Sequence, residues 1–108
     1  MLKKLNWQAF SNEDRNEIIE KVKQVITSSE GYITNFNMFS DLAMSLSIEI
    51  EEAGIQSLHQ ALGSLLNISD LEAETVNPNS KKEWLVFINI SFGSGTGDLK
   101  GIVPDVPG

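Results

Sequence analysis

The sequence predicts an α+β fold, because it combines one alternating strand with two helical stripes. From Leu42 to Ile50 every second residue is apolar, the pattern of a strand with one buried face. Residues 18–26 and 55–66 instead carry apolar residues three or four positions apart, as a helix with one buried side does. We therefore predict a two-layer sandwich with two helices on one face of a mainly antiparallel sheet of three or four strands.

The first third of the chain contains the first of these helices. Residues 1–10 form either a short strand or a lead-in that lays Trp7 on the core. Ser11 is predicted to be the helix N-cap, since an acidic residue follows three positions later. Gly31 is expected to end the helix as a left-handed cap residue.

Residues 31–39 are predicted to form a hairpin with the strand 42–50 through a three-residue turn, because this register places residues of similar polarity opposite each other. The predicted pairs are Met38–Met44, Phe36–Leu46, Thr34–Ile48 and Tyr32–Ile50.

The second half of the chain supplies the remaining elements. A helix is expected over residues 55–66 with Asn67 as its C-cap, followed by a candidate edge strand at residues 71–76. Residues 84–92 are apolar on both faces in their first half, which suits a central strand. The element order is then αββα(β)β, or the ferredoxin-like βαββαβ if residues 2–8 form a first strand. We predict one domain over residues 1–92 and a glycine- and proline-rich tail over residues 93–108.

Composition limits the classes of partner. The formal net charge is −7 and the eight basic residues are scattered, which disfavours nucleic acid and an anionic membrane surface. A basic protein partner is compatible with this charge. The chain has no cysteine and no long apolar run, so the cytoplasm is the expected location.

No motif assigns a catalytic, cofactor-binding or metal-binding residue. His59, the one histidine, flanks an apolar helical stripe and is expected to pack its ring at the edge of the core. Glu49, Glu51 and Glu52 could chelate a hard cation but lack the spacing of a calcium loop, so solvated charge is expected. The glycine-rich residues 93–97 lack the Lys-Ser/Thr of a phosphate loop.

The sheet face turned away from the helices is the most informative predicted surface. We expect it to be polar, with apolar residues at one end, and these apolar residues suggest a partner, a dimer or cover by the C-terminal tail. Its candidate interface residues are Ile33, Asn35, Asn37, Phe39, Ser45, Ser47, Leu85, Phe87 and Asn89, with Ser91 beside them. The preferred hypothesis is a non-enzymatic protein-interaction domain that binds itself or a basic protein. The alternatives are a small-molecule-binding regulatory module and, weakest, an enzyme that uses Glu49 or His59.

Overall fold

The computed structural model describes residues 3–71 and 76–93 of this chain, and it has an α+β fold with one five-stranded sheet and two helices. The strands are β1 (Lys3–Ser11), β2 (Tyr32–Ser40), β3 (Ala43–Glu51), β4 (Asn67–Ile68) and β5 (Glu83–Phe92). The helices are α1 (Arg15–Ser28) and α2 (Ile55–Gly63), and a 3-10 turn at Glu52–Gly54 precedes α2. The predicted tail beyond Gly93 and residues 72–75 of the predicted edge strand lie outside the described residues.

The strands lie in the order β2-β3-β5-β1-β4, and the sheet is mixed because β1 runs parallel to β5. The prediction of an α+β fold is confirmed, but the predicted strand count and order are wrong. Residues 3–11 do form a strand, but the strand order is not the ferredoxin-like one, so that prediction is wrong as well. In the structure Leu5, Trp7 and Ala9 complete the buried face next to β5.

The core lies between both helices and one face of the sheet. The three inner strands pair Trp7 with Ile88 and Ile88 with Leu46, and all three side chains are almost completely buried. The helices add part of each predicted stripe, and the buried residues are Ile18, Val22 and Ile26 from α1 and Ile55, Leu58 and Leu62 from α2. The periodicity of the sequence therefore identified the buried side of each helix correctly.

The start of α1 differs from the prediction by three residues. Its N-cap is Asp14, whose carboxylate accepts the backbone N–H of Glu17 at 3.0 Å. Ser11 is instead the buried last residue of β1, and its hydroxyl accepts the N–H of Glu13. The serine and the aspartate both satisfy a free N–H near the helix start, but only the aspartate lies next to the first helical turn.

The end of α1 uses Glu30, and not Gly31, for the left-handed conformation, since Glu30 has a φ of 66°. Gly31 lies close to the core. A Cβ added to it would lie 3.2 Å from the Ile26 side chain and 3.1 Å from that of Ile48, so a larger residue requires these side chains to shift by a few tenths of an ångström. At the end of α2, the C-cap is Ser64, while Asn67 begins β4.

Replacing Glu30 by glycine should stabilise the fold. A side chain in the left-handed region costs about 1–2 kcal/mol, and the extra freedom of glycine in the unfolded chain offsets part of this gain, so we expect a net increase of about 0.5–1 kcal/mol in the free energy of unfolding. Urea denaturation followed by circular dichroism measures this change. Glu30→Ala is the control, because it removes the same charge but keeps the strain; equal stabilisation by alanine would contradict the explanation.

Candidate interaction surface

The β2–β3 hairpin keeps the predicted register in its middle. Met38 lies opposite Met44 and Phe36 lies opposite Leu46, as expected from matching their polarity. Both β2 residues therefore point toward the helices. Because β2 is the outermost strand, however, Phe36 is only half-buried and Met38 remains 40% exposed.

A β-bulge at Thr34 changes the register toward the start of β2. The sheet pairs Ile33 with Ile48 and Tyr32 with Glu49, in place of the predicted Thr34–Ile48 and Tyr32–Ile50. The extra residue moves Ile33 to the helix side, where it packs against the core, and leaves the Thr34 hydroxyl free to donate to the Ser47 carbonyl at 3.1 Å. The predicted placement of Ile33 on the sheet face turned away from the helices is therefore wrong.

The sheet face turned away from the helices, here called the open face, is mostly amide and hydroxyl. It carries Asn35 and Asn37 from β2, Ser45 and Ser47 from β3, and Asn89 and Ser91 from β5. Direct cross-strand partners include Asn35 with Ser47 and Ser45 with Asn89. The structure thus brings together the polar residues that the sequence hypothesis selected.

Leu85 and Phe87 also lie on the open face, but they are half-buried. They belong to β5, which has a long strand on each side, so neighbouring side chains flank them; Phe87, for example, stands between Ser47 and Asn6. The apolar cluster expected here is accordingly less exposed than predicted. An apolar residue in a central strand is shielded by its neighbours even on an open face.

The exposed apolar surface lies instead on the β2–β3 hairpin. Among the described residues, the exposed large apolar side chains are Tyr32 (72%), Phe39 (68%), Leu42 (51%) and Met38 (40%), which we call the hairpin patch. The sequence hypothesis selected Phe39 and missed the other three. It placed Met38 on the buried face of the sheet, opposite Met44. The sequence does not show that β2 lies at the sheet edge, and this edge position is the reason that Met38 stays exposed.

The charges around the hairpin patch come from α1, from the turn and from Glu49, the cross-strand partner of Tyr32. Residues 32–40 carry no charged side chain, although the chain as a whole has a net charge of −7. At the hairpin turn Asp41 binds the Arg15 guanidinium at 3.0 Å. Halfway along β2, the Lys23 ammonium lies 5.1 Å from the centre of the Phe36 ring. The hairpin is therefore attached to α1 at two points while its outer edge stays neutral.

His59 has a structural environment in the fold. Its Nε2 lies 2.7 Å from the carbonyl oxygen of Ser69, and its ring stands edge-on to Trp7 with 4.8 Å between the ring centres. A carbonyl oxygen can only accept, so this contact assigns the proton to Nε2. The ring is half-buried, as expected for a histidine at the edge of the core.

The side chains of the three glutamates considered as cation ligands do not point to the same side of the sheet. Glu49 and Glu51 lie on the open face of β3, whereas Glu52 is buried and accepts the backbone N–H of Asn77 at 2.8 Å. That hydrogen bond is the main cause of a lowered pKa of the Glu52 carboxyl, and burial opposes it. In the described ranges, no group of three His, Cys, Asp or Glu side chains is placed to hold a metal ion.

The helices of the described residues are short. The longer one, α1, has 14 residues and mixes charged with apolar positions. None of the helices in residues 3–71 and 76–93 combines the length and apolarity needed to cross a membrane. Comparison of the chain with family models, with curated proteins and with solved structures found no match.

Proposed function

We propose that this chain is a small non-enzymatic protein-interaction domain that binds its partner through the hairpin patch and the outer edge of β2. One observation carries the proposal: Tyr32, Met38, Phe39 and Leu42, the exposed large apolar residues of the described chain, all lie on one hairpin at the sheet edge. Met38, Phe39 and Leu42 lie close together near the hairpin turn, while Tyr32 lies at the other end of β2. Exposed apolar side chains that lie close together are typical of a protein-binding surface.

Two kinds of interaction are available at this edge. An edge strand presents unpaired backbone N–H and C=O groups to which another strand can add. Burying one large apolar side chain contributes about 1.5–3 kcal/mol, so contact with Phe39 and Leu42 would add to those hydrogen bonds. The two-layer arrangement supports this role, because both helices cover the other side of the sheet and leave the hairpin accessible.

The chemistry of the partner follows from charge. A net charge of −7 favours a basic or neutral protein surface and disfavours nucleic acid and anionic lipid. The neutral strand at residues 32–40 allows a close approach without repulsion. The cytoplasm stays the expected location, on the basis of the missing cysteines.

The double variant Phe39→Ser, Leu42→Ser tests the proposal. Both side chains are exposed, so we expect the far-ultraviolet circular dichroism and the urea midpoint to stay close to those of the native chain. Capture of a protein from an extract of the source cells by the immobilised full chain should be lost.

The matched control is Gln56→Ser, Gln60→Ser on the exposed side of α2, which should capture as the native chain does. Capture that survives in the hairpin variant would contradict the proposal, and so would a native chain that captures no protein and also stays monomeric.

A further inference from the structure

The outer edge of β2 has features that suit one particular partner. In the described part of the chain β2 pairs only with β3, so its other side faces no strand. The edge contains neither proline nor lysine, two residues that commonly protect such edges. Bulges next to Thr34 and Phe39 leave a regular ladder between them, from Asn35 to Met38.

The sequence of this segment is nearly self-complementary about Phe36. In an antiparallel pair of two copies with Phe36 opposite its own equivalent, Asn35 lies opposite Asn37 of the second copy. The regular pairing does not extend beyond these residues on both strands, because Thr34 and Phe39 lie at the bulges. Amide therefore meets amide in the regular part of the pair.

The charges near this axis are also compatible with a second copy. Each copy carries a net charge of −7, so two copies repel wherever acidic surfaces meet, but residues 32–40 are neutral. On α1 the Lys23 ammonium lies 5.1 Å from the centre of the Phe36 ring, and Glu20 lies 3.9 Å from Lys23. Each copy therefore contributes this positive and this negative charge in equal number.

We propose that two copies of this chain associate by antiparallel pairing of β2 with β2, centred on Phe36, and so form one continuous ten-stranded sheet. This inference rests on the proposed function, since it names a second copy as the partner of the hairpin surface. Both pairs of helices then lie on the same side of the joined sheet, because the two-fold axis is perpendicular to it.

The association is expected to be weak and reversible. The Asn35 side-chain oxygen accepts the N–H of Phe36 at 2.9 Å. Pairing at the axis requires this N–H to leave the Asn35 oxygen and donate to a backbone carbonyl of the second copy. The regular part of the edge is short, which places the contact at the small end of protein interfaces, below about 1,200 Å² in total. The dimer fraction should therefore rise with protein concentration.

Single-cysteine variants test the register directly, because the native chain has no cysteine. Directly opposite Cβ atoms in an antiparallel pair lie about 4.5–5.5 Å apart, close enough for a disulfide after a small shift, whereas diagonal ones lie roughly 7–8 Å apart. A mixture of the full-length Asn35→Cys and Asn37→Cys variants should thus crosslink about tenfold more than either variant alone. Gln56→Cys on α2 gives the background level, and mass spectrometry identifies the mixed disulfide.

Charge variants provide a second measurement that does not depend on oxidation. Asn37→Lys should abolish the concentration-dependent dimer seen by sedimentation velocity, because lysine at an edge disfavours strand addition. Adding Asn35→Asp to the same chain should restore it, since aspartate then lies opposite the lysine of the second copy.

The outcomes separate this inference from the proposed function. A mixed disulfide above the background and recovery of the dimer in the double charge variant support it. A native chain that stays monomeric at every concentration, with crosslinking no higher than in the control, overturns it. If capture from the extract still depends on Phe39 and Leu42 in that case, the hairpin binds another protein and the proposed function stands; if capture is absent too, both fail.

Discussion

Replacing Trp7 by alanine is expected to lower the free energy of unfolding by about 3–5 kcal/mol. The side chain is fully buried in the middle of β1, where it lies opposite Ile88 of β5. Its indole N–H donates to the carbonyl of Leu71 at 3.0 Å, and the His59 ring stands against it. Alanine removes the packing of the ring, leaves a cavity in the core and leaves the Leu71 carbonyl without this donor.

Equilibrium urea denaturation measures the loss, with circular dichroism as one probe and the fluorescence of the remaining Trp84 as another. Trp7→Phe is the matched control, because it keeps an aromatic ring and removes the N–H donor; we expect it to cost about 1–2 kcal/mol. A loss below about 1 kcal/mol for alanine would contradict the central position of Trp7 in the core.

Local periodicity was sufficient to predict which residues are buried. Met44, Leu46, Ile48 and Ile50 alternate along β3, and each has at most 2% of its surface exposed. In the predicted helical stripes the residues buried to the same extent are Ile18, Val22, Ile26, Ile55, Leu58 and Leu62, whereas Ile19, Val25 and Leu65 are partly buried. A period of two or of 3.6 residues defines a face of an element whatever its neighbours are, so the sequence alone determines that face.

Strand order was not predictable in the same way. The alternation of Leu5, Trp7 and Ala9 in β1 is weakened by the small alanine and by the apolar Phe10 beside it. Even a clear strand could pair with any strand of matching pattern, in either direction. The parallel pairing of β1 with β5 joins residues 3–11 to residues 84–92, and no local rule determines that choice.

The candidate interaction surface was predicted only in part, because it too depends on how the strands assemble. Matching of polarity placed Asn35 and Asn37 on the open face correctly, because they lie within the regular part of the hairpin. Ile33 was misplaced because the bulge at Thr34 inserts one residue, and a slip of one residue exchanges the two faces of a strand. The exposure of Met38 depends on β2 being an edge, which is a property of the assembled sheet.

The second large effect is expected at Glu52, which holds the connector between α2 and β5 in place. Its buried carboxylate accepts the N–H of Asn77 at 2.8 Å, and its own backbone N–H donates to the carbonyl of Lys82 at 2.8 Å. The next residue, Ala53, donates to the carbonyl of Ser80 at 2.9 Å. The 3-10 turn and the connector are thus joined by three hydrogen bonds, one of which depends on the carboxylate.

The pH dependence of this contribution follows from the pKa of Glu52. The hydrogen bond from the Asn77 backbone lowers the pKa of this carboxyl below the ordinary value of 4.5, although burial acts in the opposite direction. The folded chain therefore binds this proton less tightly than the unfolded chain does. The stabilisation is fully present above the unfolded-state pKa and is lost as the pH falls through the lower, folded-state pKa.

Replacing Glu52 by glutamine should lower the urea midpoint at neutral pH, because a neutral amide accepts the Asn77 N–H more weakly and adds a buried donor. The difference from the native chain should be largest above the ordinary glutamate pKa and should shrink as the pH is lowered toward about 3. Glu51→Gln is the matched control: it removes the same charge from the adjacent residue, whose side chain lies on the open face, and should leave the pH profile close to that of the native chain. A Glu52→Gln deficit that stays constant from neutral to acidic pH would show that the carboxylate charge does not hold the connector.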